Sequence, residues 1–588
     1  MSTTTKTATS RFDPASPPPR IVYILGALLL SAILCLSGLG SRDLWDPDET
    51  RYAAVAQTMM LRGDWIVPHI NGTIYAEKPP LSFWLMAGCF KLFGTNETAA
   101  RLPSALAGIL TTLAVFLLAE RCFGVRGGFI AGVAAATAPA LTQLSRWAIM
   151  EPMLTLCIVL ASYFLFVGVE ETPRRRFAFP VAGLAMGAGL LIKGPPALLP
   201  ILVILVYAAV TRQIGAAANR YLLLGLAIAA VIAAGWIVPA CIRGGPAYTR
   251  EILFHQTVGR FAKGWIHQKP AYYYLYALPG MLMPWALFLP SAVVMIWRGR
   301  ATTAGNSAVW RGAIFALVWI AVFGLFFSTS KSKKALYVLP TVPAAAVLVG
   351  GLFAGSRDET ERTERTPSRA LRLRPSAVLR TSSGQAWFST PIVLTSAAVI
   401  LLAAALPVAA HRYLHEPMGK FAPLILLAGG LAIVSLVAAY LALKGRHISA
   451  FATLALALAG LNLILPLAAL EMLDSRKSAK DFASRTGYIS QGARLATFGL
   501  RPQSFIFYGR RETGPRLWTA AWAARFLRSP GKRYLALPEK DVNAMPHDLG
   551  VVVFSGQAWG KGAALIANLA AAEDASARIR ARQGEFLR

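Results

Sequence analysis

Long apolar runs alternate along this chain with short polar breaks rich in arginine. A helix needs about 20 mostly apolar residues to cross a bilayer. Measured against that length, the pattern predicts thirteen spans, near 21–40, 101–119, 128–145, 152–169, 178–192, 195–211, 221–241, 272–297, 310–327, 335–354, 388–410, 422–443 and 448–471. Only Lys193-Gly194-Pro195-Pro196 divides the fifth from the sixth, so the alternative there is a single kinked helix and an inverted topology downstream. The first run is too long for a cleaved signal peptide and lacks the small flanking residues of one, so it reads as a permanent anchor. Two stretches between spans are helical but not spanning. One starts at Asp48 and puts Tyr52, Val55, Ala56, Met59 and Met60 on one side; the other covers 81–93. Both are predicted to lie in the membrane interface.

Charge sets the orientation. With the N-terminal segment 1–20 inside, the inner loops hold Arg121 and Arg126, Arg174 to Arg176, Arg212 and Arg220, Arg298, Arg300 and Arg311, the segment 355–387, and Lys444 with Arg446. Every inner loop is then basic, as the positive-inside rule requires, and the break at Lys193 is needed to keep it so. The region 21–471 is the membrane domain. Its outer loops include 41–100 and 242–271, and an odd number of spans puts the tail 472–588 outside. Strand-like runs at 505–508 and 549–554, with a helical stretch at 558–573, predict a small α/β domain in that tail. The expected fold class is therefore mostly α: a polytopic helical membrane protein of about 13 spans with interfacial helices and a C-terminal α/β domain.

Composition supports this. The chain has 588 residues, of which 55% are hydrophobic and only 15% charged. Soluble domains carry about 25% charged residues. The net charge of +31 falls between apolar runs, where it sets topology and meets lipid phosphates. No nucleic-acid partner is expected. The five cysteines form no CxxC, so neither a disulfide framework nor a zinc ribbon is indicated.

The chemistry gathers at outer ends of spans. Trp45-Asp46-Pro47-Asp48-Glu49-Thr50-Arg51-Tyr52 follows the first span, and the same loop continues through Gly63-Asp64-Trp65 and Tyr75-Ala76-Glu77-Lys78-Pro79-Pro80. First-turn acids complement a helix dipole, so Asp48 and Glu49 also fit a plain capping role. Glu77 and Lys78 also fit a surface ion pair. Glu151 opens the fourth span, Lys193 ends the fifth, His255, Arg260 and His267 lie in the large loop, Lys331 and Lys333 precede the tenth, and Tyr337 stands near its start. Ionisable groups near membrane depth default to function, although Lys and Arg at span ends also snorkel. Acids and cations on one outer face suit transfer from a phosphate-linked lipid donor. Cations steady the leaving phosphate, and a carboxylate takes or orients the proton of the acceptor. A lipid-linked-sugar transporter is the competing class. It calls for polar residues midway along spans and often for duplicated halves, and neither is visible.

These segments, with Arg101-Leu102-Pro103-Ser104, Lys193-Gly194-Pro195, Gly259-Arg260-Phe261 and the run to Tyr337-Val338-Leu339-Pro340, resemble the integral-membrane glycosyltransferases of the C-type fold (GT-C). More narrowly, they resemble the lipid A 4-amino-4-deoxy-L-arabinose transferases and the dolichyl-phosphate-mannose-protein mannosyltransferases. The resemblance covers 1–471 and is densest over 44–104. It implies an undecaprenyl-phosphate sugar donor, a lipid A acceptor, an active site on the periplasmic face of a bacterial inner membrane, and resistance to polymyxin and other cationic peptides. Relatives with the same signature move other sugars onto lipids, polysaccharides or proteins. By position, Asp48 and Glu151 match the catalytic acids, with Glu151 standing where Asp is usual. Arg51, Lys78 and Arg260 match the phosphate-holding cations, supported by Tyr75 and Tyr337. Glu49, Lys193, His267, Lys331 and Lys333 are further site candidates. No cofactor is required. An optional divalent metal such as zinc has Glu77 and His255 as its matching ligands. The chain is expected to act as a monomer.

Overall fold

The computed structural model describes residues 18–259, 268–300, 308–354, 382–414, 417–464, 473–486, 489, 492–510, 514 and 516–572. Arg260 and His267 fall outside them, as do most of the inner linker and the end of the last predicted span.

Within the described residues, each of the thirteen apolar stretches falls on helix. The first elements are α1 (Arg20–Leu36), α2 (Asp48–Arg62), α3 (Leu81–Phe93), α4 (Glu97–Thr137), α5 (Pro139–Ser145), α6 (Glu151–Glu170) and α7 (Arg175–Lys193). The second and third predicted spans are one continuous element, α4, broken at Gly124, whose φ of 78° lies in the left-handed region. There the chain reverses: a side chain at Gly128 would strike the Phe116 carbonyl at 2.9 Å. Arg121 and Arg126 flank the reversal, as an inner turn requires. The eighth predicted span is not straight. Tyr273–Leu282 and Trp285–Val294 meet at 99°, where Pro284 withholds the N–H a continuing helix would use. The loop assigned to 242–271 is helical as far as Gly259.

Helix α6 shows how the molecule is layered. Its 20 residues rise about 30 Å, the thickness of a hydrocarbon core. At its C-terminal end Glu170 accepts from Tyr207 at 2.6 Å and pairs with Arg311 at 2.6 Å. Arg20, Glu120, Arg121 and Glu171 gather around the same pocket. The residues assigned inside by charge alone thus meet at one end. Glu151 lies at the other.

The tail carries a five-stranded mixed sheet in the order β4-β3-β5-β7-β6, formed by β3 (Arg494–Phe498), β4 (Arg516–Leu517), β5 (Arg533–Pro538), β6 (Val551–Ala558) and β7 (Lys561–Ala567). Strands β1 (His69–Ile70) and β2 (Thr73–Ile74) form a small hairpin in the first loop. The helix Gln503–Gly509 of the tail packs on α2, and Phe507 joins the core of the membrane domain. Three expectations are corrected: the run 505–508 is helix and not strand, the stretch 558–573 carries the strand β7 over Lys561–Ala567 where helix was expected, and α2 is covered. Helix α2 does not present an open face to the interface; Ala53, Ala54, Gln57 and Thr58 are as buried as Tyr52 and Val55.

Candidate active site

A cavity of about 410 Å³ opens at the Glu151 end of the helices, lined by Asp48, Arg51, Tyr52, Glu77, Lys78, Glu151, Lys193, Gln256, Ser330, Ser332, Lys334 and Tyr337 among others. Five elements build it. The first turn of α2 brings Asp48 and Arg51, whose Nη2 lies 2.5 Å from Asp48 Oδ1. The segment before α3 brings Glu77, 3.4 Å from Arg51 Nη1, and Lys78. The head of α6 and the end of α7 bring Glu151 and Lys193, paired at 2.8 Å. The Lys193 ammonium also sits 4.8 Å from the ring of Tyr337. The last wall is the turn 330–334, whose Lys334 Nζ is 3.8 Å from Asp48 Oδ2. Burial pulls the Arg51 guanidinium down, but Tyr75, Tyr52, Glu77 and Asp48 outweigh it and hold the group above its ordinary value. Arg51 is a permanent cation. Four cations thus face three carboxylates across the lining, Arg51, Lys78, Lys193 and Lys334 against Asp48, Glu77 and Glu151.

The structure redistributes several predicted site residues. Glu49 is one position from Asp48, which on a helix turns it well away, and it does not line the cavity. It is fully enclosed between Arg42 Nη1 at 2.6 Å and Arg101 Nε at 2.9 Å, and accepts the backbone N–H groups of Trp45 and Ala148. Burial pushes its carboxyl up, yet Arg101 and Arg42 prevail and bring it down from 4.5 to about 2. Arg101 also donates to the carbonyls of Leu39, Arg42 and Asp43, and Ser104 donates to that of Ile149 at 2.6 Å. The Arg-Leu-Pro-Ser motif is therefore a clamp joining the first loop, α4 and the turn before α6. Gly63-Asp64-Trp65 is structural too. Gly63 ends α2 in the left-handed conformation, and Asp64 accepts the N–H groups of Ile66 and Val67.

The segment 330–334 bends at Lys331 and is bridged through Ser332 to Gln268. Ser330, Ser332 and Lys334 line the cavity. Lys331 is exposed and Lys333 buried, neither of them lining the cavity, and the Lys333 ammonium donates to the carbonyls of Lys269 and Ser330. Lys334 thus takes the cavity place that the sequence assigned to Lys331 and Lys333. Tyr75 is buried against Phe83, close to Arg51, and does not line the cavity. The two predicted metal ligands are otherwise engaged, Glu77 with Arg51 and His255 Nδ1 with Glu251 at 2.9 Å. Among the described residues no group of three or more His, Cys, Asp or Glu side chains converges. A zinc site takes at least three such ligands, so this donor set does not fit one.

The crystal structure of ArnT from Cupriavidus metallidurans bound to undecaprenyl phosphate superposes with a TM-score of 0.75, covering 94% of this chain and 98% of that one at 22% identity. The fold is the C-type glycosyltransferase fold. The apo form of the same protein superposes with a TM-score of 0.73. Residues 77–238 match the family model described as dolichyl-phosphate-mannose-protein mannosyltransferase. Over 344 residues the chain is 32% identical to an undecaprenyl phosphate-alpha-4-amino-4-deoxy-L-arabinose arabinosyl transferase of Pseudomonas fluorescens, covering 56% of this chain and 57% of the relative. A relative of the same description from Edwardsiella ictaluri is 33% identical over 318 residues, 53% of this chain and 56% of its own length. The chain thus spans somewhat more than half the length of the curated relatives it matches. The resemblance read from the sequence is borne out, and this is a multi-pass membrane protein with the GT-C fold.

Proposed function

We propose that the chain is a membrane glycosyltransferase that moves 4-amino-4-deoxy-L-arabinose from undecaprenyl phosphate to lipid A at the periplasmic face of a bacterial inner membrane. The observation that carries this reading is the cavity itself, in which the Asp48 carboxylate stands within 2.5 Å of one cation and 3.8 Å of another. A bound donor phosphate competes with Asp48 and Glu77 for Arg51 and is met by Lys78 and Lys334. This frees the Asp48 carboxylate as it brings the anomeric carbon into reach. The acceptor oxygen attacks that carbon, Asp48 takes its proton, and the bond to the phosphate oxygen breaks with its electrons onto the cation-held phosphate. Glu151, fixed by Lys193, is placed to hold the sugar or its amine. Adding a cationic sugar lowers the negative charge of the outer surface and weakens binding of polymyxin-like peptides.

Two measurements test the parts. In purified chain, Lys334→Ala and Lys78→Ala are each expected to weaken undecaprenyl-phosphate binding roughly 10- to 100-fold, the loss of one hydrogen bond to a charged group. Unchanged affinity in both removes the phosphate from this cavity. For orientation, reporter fusions after Thr172, Arg300 and Arg380 are expected to read cytoplasmic and a C-terminal fusion periplasmic. The reverse pattern discards the topology.

A further inference from the structure

The C-terminal domain reaches the first loop within two residues of Asp48. Asp46 Oδ2 accepts from the Ser504 hydroxyl at 2.6 Å and from the Trp559 indole N–H at 2.5 Å. Its other oxygen accepts from the hydroxyl of Thr50, in the first turn of α2. A single carboxylate therefore links residues on both sides of Asp48 to two elements of the C-terminal domain. The grip extends upstream. The Leu44 N–H donates to the Tyr508 hydroxyl at 2.8 Å, and Asp474 accepts from the Asp43 N–H at 2.9 Å and the Trp45 indole at 2.6 Å. Each residue from Asp43 to Asp46 is thus held from the tail.

The local backbone at Trp559 points the same way. Trp559 and Gly560 form the two-residue turn between β6 and β7, closed by the pair Ala558 and Lys561. Their φ values are 53° and 70°. Such turns favour Asn, Asp or Gly at the first position, and a bulky side chain there is strained. The hairpin alone has no use for tryptophan at this position. What the tryptophan supplies is a ring packed on Phe505 and, beyond what Phe would give, an indole donor aimed at Asp46. Strain kept where a neighbouring structure over-determines it clusters at functional sites.

We propose that the C-terminal domain is a positioning element for the transfer reaction: Trp559 and Ser504, acting through Asp46, set the placement of Asp48 in the cavity. This rests on Asp48 acting as the base. The test uses the full chain with Trp559→Phe, which keeps a ring but no donor, and Ser504→Ala, with Ser504→Thr as the conservative control. Steady-state transfer is measured against donor concentration, and Tm is read on the same samples. The expected result is a fall in kcat of roughly 10- to 100-fold, the scale of a 1 Å misplacement. Donor KM and Tm stay close to those of the unaltered chain, and Ser504→Thr recovers most of the rate. Unaltered kcat in Trp559→Phe and Ser504→Ala overturns the inference, as does a loss that tracks a fall in Tm and is not recovered by Ser504→Thr. If the unaltered chain transfers no sugar, the functional reading fails and this inference with it. Unaltered kcat in the variants fails the inference alone.

Discussion

Asp48→Asn is expected to lower kcat for sugar transfer by about 10²- to 10⁴-fold, the range set by loss of a general base. Asparagine matches the carboxylate in shape, and its amide oxygen still accepts from Arg51. The neighbouring contacts at 2.5 and 3.8 Å lose charge but not their geometry. Donor binding, which relies on the cations, is expected to hold or tighten slightly, because a competing anion has left the cavity. The split between a collapsed kcat and a preserved Kd is the signature. Turnover close to that of the unaltered chain removes Asp48 from the mechanism. A parallel loss of affinity and rate assigns it to binding.

Glu49→Gln is expected to destabilise the fold by about 3–5 kcal/mol, as breaking a buried ion cluster does. Glu49 is 1% exposed and stands between Arg42 and Arg101. An amide leaves two buried guanidinium groups without their counter-charge. The same cluster sets a pH dependence. The folded carboxyl titrates near 2 against an ordinary 4.5, so its contribution is complete above pH 4.5 and is lost as pH falls towards 2. A shift of that size corresponds to roughly 3 kcal/mol. Melting curves between those pH values are expected to fall steeply for the unaltered chain and less steeply for Glu49→Gln. Equal slopes contradict the role given to this residue.

The contrast between these two neighbouring carboxylates shows what the sequence carries and what it does not. Apolar runs bounded by arginine are written locally, and within the described residues each fell on helix, seven or eight of the helices being long and apolar enough to cross a membrane. The acids and cations at the outer ends were legible for the same reason. Their division of labour was not. Asp48 and Glu49 look alike in sequence, and only the partners of Glu49, seven and fifty-two residues away, mark it as structural. The segment 330–334 packs through contacts distant in sequence, such as the bridge from Ser332 to Gln268, so the choice of Lys334 over Lys331 and Lys333 was hidden as well. The tail's grip on the first loop joins positions up to 513 residues apart. Nothing in the local pattern of Trp45-Asp46-Pro47-Asp48 announces a partner at Trp559, though a tryptophan in a two-residue hairpin turn is a signal in retrospect.

The central claim is that this cavity transfers aminoarabinose to lipid A. Mass spectrometry of lipid A from cells carrying the intact chain, the Asp48→Asn chain or none tests it most directly. A mass increase equal to one aminoarabinose residue is expected with the intact chain only. Lipid A of identical mass in all three contradicts it.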